Sequence, residues 1–124
     1  FMGDAGSTFL GSIFVLFLLN SNNLEKSFTL LLVGTPLLLD ASLCVIRRFL
    51  DRQEIFEAHS LHLFQRLHKA GWSHQKITCM YLILSILIAF TYFLFGIKYS
   101  LISALITAIF GLWVDKRFAI PFKV

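Results

Sequence analysis

Four apolar runs constrain what this chain can fold into more than any other feature of its sequence. The runs cover residues 5–20, 28–46, 77–95 and 99–114. Crossing the hydrocarbon core of a bilayer takes about 20 helical residues, so the outer two runs are slightly short and the middle two are long enough. Because only a helix satisfies its own backbone hydrogen bonds in lipid, each run is predicted to be a helix. The sequence therefore predicts an all-α polytopic membrane helical bundle with about four transmembrane helices.

The composition excludes several classes of protein. Apolar residues make up 57% of the chain and charged residues 15%, against a usual charged share of about 25%. A disordered chain, a fibrous repeat and an ordinary soluble enzyme are therefore excluded. The net charge of +4 is too small to indicate a nucleic-acid partner. The two cysteines, Cys44 and Cys79, lie in apolar runs and form no metal-binding or disulfide pattern.

The distribution of basic residues predicts how the spans are oriented. Four crossings place Phe1, the loop at residues 47–76 and the C-terminus on one side of the membrane. The only basic residues on the other side are then Lys26 and Lys98. The basic residues of the first side are Arg47, Arg48, Arg52, Arg66, Lys69, Lys76, Lys116, Arg117 and Lys123. Since cytoplasmic loops carry an excess of Lys and Arg, that side is predicted to be cytoplasmic.

Two glycines flank a carboxylate where the first run begins, in the segment Gly3, Asp4, Ala5, Gly6 and Ser7. Glycine lets a backbone approach a ligand closely, and a helix N-terminus offers free N–H groups to phosphate oxygens. A carboxylate there would repel phosphate unless a divalent cation lay between them, so Asp4 is a candidate Mg²⁺ ligand. The alternative is an aspartate that caps the helix, with the glycines in a turn.

A single charged residue, Asp40, interrupts the second run. It follows Pro36, which removes a backbone hydrogen bond and is predicted to kink the helix. Asp40 lies about 10 Å along the helix from Arg47 at a rise of 1.5 Å per residue, which places it below the predicted cytoplasmic surface. An ionisable residue within a span usually faces a cavity or a partner. Asp40 is therefore a candidate substrate contact, and a structural carboxylate bonded to a neighbouring helix is the alternative.

The loop at residues 47–76 is predicted to contain a cytoplasmic amphipathic helix over residues 57–70. Basic residues recur in it at i, i+3, i+7 and i+10 and so share one face. They are His59, His62, Arg66 and Lys69. Two histidines with an arginine and a lysine suit a polyanion such as a pyrophosphate. The alternative is a helix that extends its basic side chains toward anionic lipid.

Three segments of the chain together resemble a known family, the polyprenyl-phosphate N-acetylhexosamine-1-phosphate transferases of glycosyltransferase family 4. The family includes phospho-MurNAc-pentapeptide translocase and UDP-GlcNAc:undecaprenyl-phosphate GlcNAc-1-phosphate transferase. Residues 1–7 resemble a family signature, residues 36–48 its helix with an acid before a basic end, and residues 58–65 its histidine loop. The histidine loop is most similar to that of the O-antigen-type branch, although Ser60 and Leu61 stand where that branch has Arg and Ser.

The resemblance implies a reaction and a set of roles. Enzymes of this family require Mg²⁺ and transfer N-acetylhexosamine-1-phosphate from a UDP-sugar to undecaprenyl or another polyprenyl phosphate, releasing UMP. It implies that Asp4 is catalytic and holds Mg²⁺, and that His59 and His62 act in the site by binding the diphosphate or the nucleotide. The candidate substrate contacts are Gly3, Gly6, Ser7, Arg66, Lys69 and Asp40.

The resemblance also implies a cellular setting. We expect a multi-pass protein of the bacterial cytoplasmic membrane, in contact with membrane lipids and with its active side facing the cytoplasm. Its product would initiate a cell-envelope glycan such as O-antigen or peptidoglycan. The sequence leaves open which amino sugar is used and whether the protein forms a homo-oligomer.

The resemblance covers only the C-terminal part of such an enzyme. The family's paired aspartates, and its nucleotide loop rich in Asn and Asp, belong to earlier loops and have no counterpart in these residues. The chain also begins with Phe1 rather than Met. We therefore expect a longer parent protein to be the enzyme and this part to be inactive alone.

Two functions of other classes compete with the transferase. Asp40 could serve a small proton-coupled transporter, and the basic loop could belong to a structural membrane subunit that binds anionic lipid. The transporter leaves Asp4 and the basic face of the loop unexplained, and the subunit leaves Asp4 unexplained. An Asp-Asp pair at a cytoplasmic helix end upstream of this chain would favour the transferase.

Overall fold

The computed structural model describes residues 3–21, 23–52 and 61–122. In those ranges every regular element is an α-helix and no strand occurs. The helices are α1 (Gly3–Leu19), α2 (Leu24–Val33), α3 (Thr35–Leu50), α4 (Leu63–Lys69), α5 (His74–Phe95) and α6 (Ile97–Phe118). The predicted all-α class is confirmed.

Several helix ends are determined by local chemistry. The side chain of Asn23 accepts the N–H of Glu25 at 2.9 Å and so caps the start of α2. Ser73 caps α5 in the same way, by accepting the N–H of Lys76 at 3.3 Å. Only Gly96 separates α5 from α6, and its φ of 81° lies in the left-handed region that favours glycine. The chain therefore reverses within one residue, and α5 and α6 form a hairpin.

Helix length decides how many segments can cross a membrane. Both α5 and α6 have 22 residues, which at 1.5 Å per residue corresponds to about 33 Å and exceeds the roughly 30 Å of a hydrocarbon core. The 17 residues of α1 fall short of that length. By length and composition, the described residues contain two helices that could span a membrane, or three if α2 and α3 form one bent span. The prediction was about four.

The second predicted run is two helices rather than one. α2 and α3 meet at Gly34 with a bend of 68°. The predicted kink is present, but the break lies two residues before Pro36, which occupies the first turn of α3. A proline is tolerated there because the first N–H groups of a helix have no partner within the helix. Pro36 therefore starts the second half of the run and does not bend it from within.

α4 is a short helix packed against the ends of three longer ones. It contacts α3, α5 and α6. Leu67 is fully buried between Ile77 of α5 and Val114 of α6, and these three residues form the apolar core of that end of the bundle. Most large apolar side chains elsewhere on α1, α5 and α6 are exposed, as expected for helices whose surroundings are lipid or other helices. The well-packed part of the described chain is therefore the α4 end.

Candidate functional site

Polar side chains converge where α4 packs against the other helices. We call this group the polar cluster, and it consists of Asp40, Arg47, His62, Arg66, Tyr81 and Asp115. Its members come from four helices and from the residue that precedes α4. Both carboxylates are only 8% exposed. Since a buried carboxylate is stable only with partners, the contacts around Asp40 and around Asp115 define the two halves of the cluster.

Asp40 holds the start of α4. Its Oδ1 accepts the backbone N–H of Leu63 at 2.7 Å, and its Oδ2 lies 3.5 Å from the N–H of Phe64. The hydroxyl of Tyr81 donates to Oδ2 at 2.9 Å. A carboxylate on α3 thus satisfies N–H groups that α4 itself cannot satisfy. Its negative charge also stabilises α4, because the N-terminal end of a helix carries a partial positive charge. These contacts favour the structural interpretation of Asp40 given above, and its role as a substrate contact stays a prediction.

His62 stands immediately before the first turn of α4. Its backbone N–H donates to Oε1 of Gln65 at 3.2 Å, and its ring stacks on Phe64 with the centroids 5.6 Å apart. Nδ1 lies 3.7 Å from Oδ1 of Asp40, close enough for an ion pair when the imidazole is protonated. The side chain is 29% exposed. His62 is therefore held by short-range contacts while part of its ring faces outward.

The predicted basic face of the loop is wrong in two respects. The helix begins at Leu63, so that His62 precedes it and does not lie on its surface. Arg66 points inward and is only 5% exposed, whereas Lys69 at the end of α4 is exposed, as predicted. The spacing of the basic residues could not reveal this, because it gives no information on whether a distant acid lies buried beside one of them.

That acid is Asp115, which the sequence analysis missed. Its Oδ2 pairs with Nη2 of Arg47 at 2.5 Å, and its Oδ1 pairs with Nη1 of Arg66 at 2.6 Å. Asp115 was overlooked because it directly follows the last apolar run and precedes Lys116, so it resembled an ordinary solvated helix end. One signal was present, since a carboxylate in the last turn of a helix opposes the helix dipole and calls for a compensating cation.

The residues after α6 fold back onto the polar cluster. Arg66 donates from Nε and from Nη2 to the carbonyl oxygen of Ile120, at 2.8 and 2.7 Å. The ring of Phe122 lies 5.5 Å from the Cζ of Arg47 and 5.4 Å from the Cζ of Arg66, within the range of cation–π contacts. Residues 119–122 therefore cover the buried Arg66 and the partly exposed Arg47.

Two spaces adjoin the polar cluster. A cavity of about 50 Å³ lies among α3, α5 and α6 and has Asp40, Arg47 and Asp115 in its wall. It can hold a few waters, which need about 10–15 Å³ each, but not a nucleotide. A more open, mostly apolar groove of about 400 Å³ runs between α3, α4 and α5 and is lined in part by Phe64 and Tyr81.

Three of the predicted site residues lie wholly or partly outside what the structure describes. They are His59 and the side chains of Asp4 and Ser7. The backbone of α1 begins at Gly3, so Asp4 and Gly6 lie in its first turn. The glycines are therefore helical, unlike in the alternative that placed them in a turn.

A magnesium site does not form among the described side chains. In residues 3–21, 23–52 and 61–122, no group of three or more His, Cys, Asp or Glu residues is arranged to hold a metal. The oxygens of Asp40 and Asp115 already accept hydrogen bonds or pair with arginines. Mg²⁺ in phosphate-handling sites needs one or two carboxylates together with phosphates and water. Asp4 thus remains the candidate ligand in this chain.

A comparison with curated proteins supports the resemblance noted in the sequence. The chain is 40% identical over 91 residues to a protein of Bacillus subtilis (strain 168) named a probable undecaprenyl-phosphate N-acetylglucosaminyl 1-phosphate transferase. The family resemblance is confirmed. The similarity covers 67% of this chain and 25% of the relative, which is consistent with a C-terminal fragment of such an enzyme.

Two other comparisons found nothing. No family model matches the chain, and no solved structure matches it. The chain spans about a quarter of the length of the curated relative.

Proposed function

We propose that this chain is part of a membrane transferase that moves N-acetylhexosamine-1-phosphate from a UDP-sugar to a polyprenyl phosphate. The observation that carries the proposal is the 40% identity over 91 residues to the B. subtilis relative. In the reaction an oxygen of the polyprenyl phosphate bonds to the β-phosphorus of the UDP-sugar. The bond from that phosphorus to the bridging oxygen breaks, and UMP leaves. The product is a polyprenyl-diphospho-sugar.

Within this chain the proposed chemistry divides between the start of α1 and the start of α4. Asp4 and the glycines beside it would lie near the phosphates, and Mg²⁺ bound there would neutralise phosphate charge as it shifts between reactants. His59 and His62 would contact the diphosphate. The partly exposed ring of His62, held beside Asp40, supports this role because a protonated imidazole there can donate to a phosphate oxygen. The exposed Lys69 would add a cation nearby.

The lipid substrate would need an apolar surface next to the charged site. The groove between α3, α4 and α5 supports such an arrangement. Phe64 lines it and also stacks against His62, so the groove and the histidine are neighbours. A polyprenyl tail lying in the groove would place its phosphate near the start of α4. The nucleotide would arrive from water on the same side, which we propose is the cytoplasmic side of a bacterial membrane.

Assay of the full-length parent protein tests the proposal. Purified parent is mixed with undecaprenyl phosphate, Mg²⁺ and a panel of UDP-N-acetylhexosamines, and UMP release is followed. We expect release with at least one UDP-sugar, which stops when the lipid phosphate is omitted and when the metal is chelated. Folded, Mg²⁺-loaded protein that releases no UMP with any UDP-sugar of the panel would refute the proposal.

The competing transporter gains no support from the geometry. A proton-coupled carboxylate has to exchange its proton with a path across the membrane. Asp40 instead accepts from two backbone N–H groups and from the hydroxyl of Tyr81. These contacts give Asp40 a structural role, which explains the presence of a carboxylate in an apolar run without a transporter.

A further inference from the structure

We propose that Asp115 is a positioning residue that holds His62 in place by fixing helix α4 through Arg66. The proposal rests on the proposed function for its effect on the reaction, but not for its effect on the position of α4. It concerns a residue at the end of α6 that has no part in the chemistry proposed above.

α4 cannot keep its own position. It has seven residues, whereas helices shorter than about 12–15 residues are marginal in water without tertiary contacts. Its place in the bundle therefore depends on its attachments to other helices. His62 directly precedes its first turn and moves with it.

Besides the apolar contacts of Leu67 with Ile77 and Val114, the polar attachments of α4 lie at two points along it. Asp40 holds the first turn through the N–H groups of Leu63 and Phe64. Arg66, one turn later, is held by Oδ1 of Asp115 at 2.6 Å and by the carbonyl oxygen of Ile120. Two separated points define the direction of a short helix, and one point does not. Without the second polar attachment only the apolar contacts of Leu67 hold that end of α4, so the helix should tilt more easily about the first.

The charges around Asp115 make its loss consequential. Its carboxylate lies between Arg66 and Arg47, with one oxygen on each. Without that carboxylate two guanidinium groups would face each other under the ring of Phe122. Leaving the buried charge of Arg66 without its partner is strongly unfavourable. Arg66 would move toward water and take α4 with it, and His62 would then be displaced from the diphosphate that it is proposed to bind.

A substitution series in the full-length parent protein tests this role in catalysis. Asp115→Asn should raise KM for the UDP-sugar by about tenfold or more and leave KM for the lipid phosphate within about twofold, because His62 is proposed to serve the diphosphate. Asp115→Glu should recover part of the loss. Lys116→Gln, the removal of an exposed neighbouring charge, should stay within about twofold of wild type. A loss confined to kcat, with both KM values unchanged, would overturn the proposal.

A double-mutant comparison separates positioning from general damage. If Asp115 acts through His62, then Asp115→Asn should add little to the defect of His62→Ala. The same fold-loss with and without His62 would contradict the proposal. If Asp115→Asn yields no folded protein, Arg66→Lys is measured instead. It keeps the ion pair with Asp115, cannot form both hydrogen bonds to the carbonyl oxygen of Ile120, and should shift the same KM by a smaller factor. An unchanged KM in that variant would count equally against it.

A labelling experiment needs no activity and so distinguishes this proposal from the proposed function. His62→Cys is introduced into a background without other reactive cysteines, and its rate of modification by a maleimide is measured. Asp115→Asn should raise that rate by about threefold or more, and Lys116→Gln should not. An unchanged rate would overturn the positioning role even in an active enzyme. If Asp115→Asn raises the modification rate in a protein that transfers no sugar phosphate, the positioning role of Asp115 is supported and only the proposed transferase function is refuted.

Discussion

Replacing Asp40 by asparagine measures how strongly one buried carboxylate holds α4 to the bundle. In the native arrangement Oδ1 accepts the N–H of Leu63 at 2.7 Å. Oδ2 accepts the hydroxyl of Tyr81 at 2.9 Å and lies 3.5 Å from the N–H of Phe64. Asparagine has the same shape but only one acceptor oxygen. It can satisfy one of these sides and presents an NH₂ group to the other.

The size of the effect follows from those contacts. A hydrogen bond to a charged group contributes about 1.5–3 kcal/mol, and loss of a helix N-cap costs about 0.5–2 kcal/mol. Since one oxygen remains, Asp40→Asn should weaken the attachment of α4 by about 1.5–3 kcal/mol. At about 1.4 kcal/mol for each factor of ten, amide hydrogens of α4 should exchange roughly 10- to 100-fold faster.

Hydrogen exchange of the full-length parent protein, followed by mass spectrometry, is the measurement. Peptides covering residues 61–72 should exchange faster in Asp40→Asn, while peptides from the middle of α5 should not change. Asp51→Asn is the matched control, because Asp51 is an exposed carboxylate at the end of the same helix. Unchanged exchange over residues 61–72 in Asp40→Asn would show that Asp40 does not hold α4.

Three further predictions concern the reaction and the α5–α6 hairpin. Asp4→Asn should abolish sugar-phosphate transfer by the parent while the amount of membrane-inserted protein stays the same; turnover at the wild-type rate would remove Asp4 from the chemistry. His59→Ala and His62→Ala should each raise KM for the UDP-sugar, and a change in melting temperature alone would make the histidines structural. Gly96→Ala should destabilise the α5–α6 hairpin by about 1–3 kcal/mol, since the φ of 81° with ψ of −174° is nearly restricted to glycine. Gly111→Ala within α6 is the control, and it should not destabilise the hairpin because an added Cβ has open space there.

Some parts of the site were predictable because they depend on neighbours in the sequence. The apolar runs predicted the helices, since a chain in lipid has few other ways to satisfy its backbone. Pro36 predicted the bend, and Asp40, as a lone acid in an apolar run, required a partner. For Asp40 the structural alternative named the right kind of partner, a neighbouring helix, although it could not identify Leu63 or Tyr81.

Other parts could not be obtained that way. Arg66 was predicted to share one basic face with His62 and Lys69, because helical spacing identifies residues that share a face, but not what that face meets. Its partner Asp115 comes from another helix, and Arg47, which shares that carboxylate, lies 68 positions before it. The fold-back of residues 119–122 onto these arginines had no signal of its own.

The sequence by itself determined that this chain forms membrane helices, that the second apolar run is interrupted near Pro36, and which family the chain resembles. Each of these depends on local pattern or on likeness along the chain. Only the tertiary structure decided that Asp115 is buried between two arginines and that Arg66 is an anchor and not an exposed cation. The physical reason is that a charge is stable inside a protein only when an opposite charge meets it there, and which charges meet depends on how α3, α4 and α6 pack.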